Sequence, residues 1–169
     1  QIDYWNGKAG EKWVEHSNLL DGMLAPFARA VMDAADISAG ERVLDVGCGA
    51  GALSLMAADA VGARGAVTGV DVSAPMLGLA RERAKVRAEN ARFEDCDAST
   101  FQMTAKADVL ISRFGVMFFD DPTVAFANLR SNVAPTGRLA FACWQPMMKN
   151  EWVRAPLEVA LAHLNTPPE

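Results

Sequence analysis

Three glycines alternate in the run Gly47-Cys48-Gly49-Ala50-Gly51, directly after the apolar stretch ending at Val46, and a second apolar stretch ends at Asp71. Residues without a Cβ let a backbone turn sharply and bring its N–H groups against a ligand. A helix that starts there, near Ala50, points its positive end at the same place. An acid at the end of the next strand is placed to accept both hydroxyls of an adenosine ribose. The glycines alone fit a tight connection with no ligand equally well. Adding Asp71 at that strand end shifts the reading to a nucleoside-containing cofactor.

The spacing G-C-G-A-G-A also satisfies the dinucleotide pattern G-x-G-x-x-A, so pattern alone does not separate a nicotinamide enzyme from others. Charge does. Asp45 stands at the end of the first strand, where a carboxylate repels a pyrophosphate and attracts an ammonium or sulfonium centre. The expected ligand is a cation bearing a ribose.

These residues need strands to carry them. Glu41–Val46, the β-rich run 65–73, Ala91–Cys96, Ala107–Ser112 and Gly137–Trp144 read as five strands. Between them, ALSLMAADAV, a segment opening at Pro75 and another opening at Pro122-Thr123 read as helices. Strand and helix alternate, and parallel neighbours need crossovers, so the predicted fold is a doubly wound α/β, mostly parallel Rossmann-like sheet with helices on both faces. The chain is expected to be one domain. Residues 1–40 form an N-terminal helical segment in which Pro26 starts or kinks a helix, 41–149 the binding core, and 150–169 a helix followed by a loop.

With 16 Lys+Arg against 21 Asp+Glu in 169 residues the net charge is -5, which disfavours a nucleic-acid partner. Cys48, Cys96 and Cys143 form no metal or disulfide pattern, so no metal site is expected and a reducing, cytoplasmic setting is. No apolar run has the length of a membrane span.

V-L-D-V-G-C-G-A-G (Val43 to Gly51), G-V-D-V-S (Gly69 to Ser73) and the pair Asp97-Ala98 resemble, in order and spacing, the three cofactor motifs of class I S-adenosylmethionine-dependent methyltransferases. The segments Ser112 to Pro122 and N-V-A-P-T-G-R-L-A-F are similar to the small-molecule branch that includes ubiquinone/menaquinone biosynthesis methyltransferases. This resemblance implies S-adenosyl-L-methionine as cofactor and a small-molecule methyl acceptor. It also implies roles: Gly47, Cys48, Gly49 and Gly51 along the amino-acid part of the cofactor, Asp45 near its ammonium, and Asp71 on the ribose. Val72 and Met76 are expected on the adenine faces, with Asp97 and the Ala98 amide at the adenine edge. Ser112 and Arg113 are expected above the cleft where methyl and acceptor meet. Enzymes of this class that methylate amide or nucleobase nitrogens carry an Asn/Asp-Pro-Pro-aromatic motif there; Ser112-Arg113-Phe114-Gly115 departs from it and argues against such substrates.

Tyr4, Trp5 and Trp13 resemble the aromatic lid these enzymes fold over the cofactor, and rings over a sulfonium attract it. His16, on the same segment, and Arg113 are the candidate catalytic groups; a solvent-facing helix position is the competing reading of His16. The expected reaction is direct methyl displacement, with a nicotinamide dehydrogenase and a non-catalytic binding module as competing readings. Relatives of this type add two more strands after strand five. The sequence reads as lacking them, which predicts an apolar edge at Gly137–Cys143 open to self-association and a chain that is part of a longer enzyme.

Overall fold

The computed structural model describes residues 2–163. Strands β1 (Arg42–Val46), β2 (Ala66–Asp71), β3 (Ala91–Asp95), β4 (Ala107–Arg113) and β5 (Val133–Ala142) form one sheet in the order β3-β2-β1-β4-β5, and every pairing in it is parallel. The three central strands, β1, β2 and β4, are mostly apolar runs because both their faces are covered. Val43, Val67, Val109 and Ile111 face α3 (Ser17–Ala35), α4 (Ala52–Val61) and α5 (Ala74–Arg87); Leu44, Val46, Val70 and Leu110 face the other layer, where Leu129 of α6 (Pro122–Asn132) joins them. Chain order reverses direction at β1, so crossovers leave β1 and β4 on opposite sides. A crevice opens between their carboxyl ends.

The doubly wound expectation is met, and strand limits agree within a residue or two except at β5. That strand starts at Val133, not after the Pro135-Thr136-Gly137 turn, because the turn is absorbed as an irregularity: register jumps from Ala107↔Val133 to Val109↔Arg138. It ends at Ala142 rather than Trp144. Among the described residues β5 is an edge, with Leu139 and Phe141 exposed.

Pro26 neither starts nor breaks a helix; α3 runs through it. The carbonyl that loses its N–H partner belongs to Gly22, which is exposed to solvent. The other end of α3 is held by Arg138, whose guanidinium donates to the Ala35 and Asp36 carbonyls and to both oxygens of Glu41 at 2.8 Å. That bidentate pairing holds the Glu41 carboxyl below its ordinary pKa. Ahead of α3 lie α1 (Ile2–Asn6) and α2 (Lys8–Glu15); after β5, α7 spans Glu151–His163. Leu164 of the expected last helix, and the expected loop Thr166–Glu169, lie outside the described residues.

Candidate functional site

A cavity of about 520 Å³ sits over the carboxyl ends of β1, β2 and β4, within the size range of small-molecule sites. The glycine run forms its floor. Gly47, Gly49 and Gly51 have φ of +67°, +54° and +81°, all in the left-handed region that favours glycine. They serve different ends. A Cβ on Gly47 would lie 2.5 Å from the Gly115 Cα, and one on Gly51 3.0 Å from the Ala80 Cβ and 3.1 Å from the Phe93 ring. These two let the loop seat against its neighbours. A Cβ on Gly49 would meet only the Met76 sulfur, at 3.6 Å, so its bare face belongs to the cavity. Gly51, expected along the cofactor, does not line the cavity; close packing against α5 and β3 is what it serves.

Asp71 ties this loop to β2. One carboxylate oxygen accepts the Gly49 N–H at 2.7 Å and the other the Ser73 N–H at 2.9 Å. A carboxylate has about four lone-pair sites, which leaves two for a ligand. Burial pushes the Asp71 pKa up, while the N–H bonds from Ser73 and Gly49 pull it back. Asp45 is almost wholly buried (1% exposed) and accepts the Ser54 hydroxyl at 2.5 Å. Burial pushes its pKa up to about 7, opposed by the Ser54 bond and by the Arg113 charge. Val72, Met76, Asp97 and Ala98 continue the wall on the β2–β3 side, where Asp97 also accepts the Ser99 N–H at 2.8 Å. Arg113, Phe114, Phe118 and Phe119 form the wall on the β4 side. Cys48 lines the floor with its thiol pushed well above the ordinary value by burial, so it is no nucleophile at neutral pH.

Trp5 and Trp13, two of the three aromatic residues expected in a lid, line the cavity, and the contacts of their segment explain the sequence around them. Trp5 packs edge-on against Trp13 and Phe118, each at 5.8 Å, and both tryptophans line the cavity. The Trp5 carbonyl accepts the Ser73 hydroxyl at 2.8 Å, while Asn6 donates to the Val72 carbonyl at 2.7 Å and accepts the Ala74 N–H at 2.9 Å. Asn6 thus caps α5 from a distant segment, a job that Ser73, in the N-cap position, does not perform for its own helix. Gly10 lets the lid close, since a Cβ there would collide with the Trp5 carbonyl oxygen and lie 2.9 Å from the Ser73 Oγ. Gly10→Ala is expected to displace α1 at a cost of about 1–3 kcal/mol and to shift tryptophan fluorescence to longer wavelength. An unchanged emission spectrum would show that the lid does not close this way.

Besides Gly51, three expected site residues are elsewhere. Tyr4 is 63% exposed and leans on the outer edge of Trp5 rather than lining the cavity. His16 joins α2 to α3 facing solvent, 3.9 Å from Glu15 and off the cavity wall, so the structure supports its competing reading rather than a base. Ser112 is fully buried beneath the crevice; its hydroxyl donates to the Val46 carbonyl at 2.7 Å and accepts the Gly115 and Val116 N–H groups at 3.2 and 3.3 Å. It shapes the loop that follows β4 and does not line the cavity. Among the described residues no cluster of three His, Cys, Asp or Glu side chains is arranged to hold a metal, and no helix is long and apolar enough to cross a membrane.

The doubly wound sheet thus gathers a glycine floor, an acid at the end of β2 and two tryptophans around one crevice, the architecture of an α/β protein with a site at its strand ends. Residues 37–160 match the family described as Methyltransferase domain, and the chain belongs to it. Similar curated proteins include the aklanonic acid methyltransferase DauC of Streptomyces sp. (strain C5), 36% identical over 118 residues, which are 69% of this chain and 54% of that protein. Another is the demethylmenaquinone methyltransferase of Thermus thermophilus, 36% identical over 125 residues, 73% of this chain and 56% of that one. The chain spans about half the length of these relatives. Among solved structures, that of a putative S-adenosyl-L-methionine-dependent methyltransferase from Methanococcus maripaludis shares the fold, with a TM-score of 0.68 at 20% identity over 95% of this chain and 73% of that one.

Proposed function

We propose that this chain binds S-adenosylmethionine and takes part in transferring its methyl group to a small-molecule acceptor by direct displacement. The observation that carries this reading is the Asp71–Gly49 bond: it fixes the ribose-accepting carboxylate to the one glycine whose missing Cβ opens onto the cavity. The donor set fits the cofactor. Asp71 retains two acceptor sites for ribose hydroxyls, Val72 and Met76 offer apolar contact to a base, and Asp45 offers a carboxyl to an ammonium. When bound, the cofactor supplies a sulfonium methyl group already activated toward in-line attack. What the protein must add is orientation and a dry site. Trp5, Trp13 and Phe118 exclude water from above, and Phe114 and Phe119 give the acceptor side an apolar wall. That two of its relatives are an aklanonic acid methyltransferase and a demethylmenaquinone methyltransferase supports a small organic acceptor. The free thiols of Cys48, Cys96 and Cys143 support a reducing, cytoplasmic setting.

Asp45 makes binding depend on pH. Its folded pKa of about 7 lies above the ordinary carboxyl value, so the stability it contributes is full below about pH 4 and is lost as pH rises through 7. An ammonium ligand lowers that pKa again and expels the proton. Affinity for S-adenosylhomocysteine is therefore expected to rise about tenfold from pH 6 to pH 8, with proton release seen by calorimetry in buffers of different ionisation enthalpy. Asp45→Asn should flatten the profile; a wild-type profile flat over that range would contradict the role. The reaction itself is tested by transfer of label from methyl-tritiated S-adenosylmethionine to a panel of quinols, phenols and carboxylic acids. Labelled product is the expected result, and cofactor binding with no transfer to any acceptor would favour a binding module.

A further inference from the structure

Phe114 holds an aromatic ring on a backbone conformation suited to glycine. Its φ is +69°, in the left-handed region that bulky residues rarely enter, and strain of that kind collects at functional sites. The surrounding loop imposes it. The Phe114 N–H donates to the Ala142 carbonyl at the end of β5 at 2.9 Å, and the adjoining Gly115 is wedged against Val46 and Gly47. A glycine at this position would make the turn without strain, so what the phenylalanine adds is its ring.

That ring is braced from outside the cavity. It stacks on Trp144 with centroids 4.7 Å apart and planes 3° from parallel, Phe27 of α3 meets both rings edge-on at 5.3 Å, and Trp152 of α7 leans on Trp144 at 5.6 Å. Phe114 lines the cavity and the other three do not, so the stack runs outward from the wall. Phe27 and Trp144 are each 36% exposed, which is too open for a core; the stack serves to fix the ring at its inner end. Phe118 and Phe119 of the same loop add apolar surface to the cavity. The charges around it are one-sided. Asp3, Asp45, Asp71, Asp97, Asp120 and Asp121 line it, and among the described residues Arg113 is the one cation that does, its charge already met by Asp21 at 3.9 Å and by Asp45. An acceptor bearing a carboxylate or phosphate would meet like charge there, which selects against it.

Resting on the proposed methyl-transfer reading, we infer that Phe114 is the platform on which the methyl acceptor lies, with Trp144 as a positioning residue behind it, so that the site selects a flat aromatic ring carrying no anionic group. The strained turn after β4 and the end of β5 are tied together by the Phe114–Ala142 bond, and Trp144, two residues beyond Ala142, is thereby set against the back of the ring.

Calorimetric titration of the S-adenosylhomocysteine-loaded chain with naphthol, with its saturated counterpart decahydronaphthol and with hydroxynaphthoate tests this. Wild type is expected to favour naphthol over the saturated alcohol by about 3- to 10-fold, and over the carboxylate by about tenfold or more. Phe114→Leu, which keeps an apolar side chain and the same backbone strain, should lose the first preference and keep the second. Trp144→Leu should lose part of the first, with Trp144→Phe restoring it. Equal wild-type affinity for naphthol and either comparator overturns the inference without any variant having to fold, as does a loaded chain that binds no naphthol or a Phe114→Leu protein that keeps the full aromatic preference. Failure of wild type to bind S-adenosylhomocysteine at all would instead overturn the cofactor reading itself.

Discussion

Gly49→Val is expected to abolish cofactor binding in a protein that stays folded, while Gly47→Val loses the fold. Both positions have positive φ, so a side chain at either carries about 1–2 kcal/mol of backbone strain. Their surroundings differ. At Gly49 the new atoms enter open cavity, touching only the flexible end of Met76. At Gly47 they enter the backbone of Gly115, whose own Cβ position is blocked by the Val46 carbonyl, so neither segment has room to retreat. Overpacking against backbone adds a further ~1–3 kcal/mol or more, a large part of the stability of a domain. Circular dichroism and calorimetry on the pair check this. A folded Gly49→Val protein that still binds S-adenosylhomocysteine would show that the loop is only structural.

Asp71→Ala is expected to lose about 1.5–3 kcal/mol of S-adenosylhomocysteine affinity, because the ribose hydroxyls lose a charged acceptor. The same change leaves the Gly49 and Ser73 N–H groups without their partner, so part of the loss arises from a loosened loop. Asp71→Asn separates the two effects. Its single carbonyl oxygen still accepts one backbone N–H, and its NH2 group can donate to a hydroxyl but not accept. An intermediate affinity is expected, and equal binding by wild type and Asp71→Ala would remove Asp71 from the site.

The parts of this site that were legible in the sequence are those fixed by short-range rules. Gly47, Gly49 and Asp71 follow directly on apolar strands, and strand ends in a parallel sheet converge, so their meeting needs no knowledge of packing. The helix starts at Pro75 and Pro122 were readable for the same reason: proline is at home in a first turn, and Asp121 caps α6 by accepting the Val124 N–H at 3.0 Å. What was not legible depends on direction or on long-range contact. Ser112 and Arg113 are neighbours at the end of β4, and strand alternation sends one hydroxyl under the crevice and the adjoining guanidinium along its wall. His16 and Tyr4 share a segment with Trp5 and Trp13, and the helical turn that aims the tryptophans inward leaves the other two in solvent. Asn6 and Gly10 carry no motif; their roles exist only because α1 and α2 dock on the start of α5. Pro26 misleads because a mid-helix proline is tolerated where the residue whose carbonyl it frees is exposed to solvent.

Titration of the wild-type chain with S-adenosylhomocysteine and, separately, with NAD tests the central claim most directly. The buried carboxyl of Asp45, which favours a cation and opposes a pyrophosphate, together with the carboxylate of Asp71, predicts one site of micromolar-range affinity for S-adenosylhomocysteine and NAD binding at least about a hundredfold weaker. A tight NAD complex, or no heat of binding with S-adenosylhomocysteine, would contradict it.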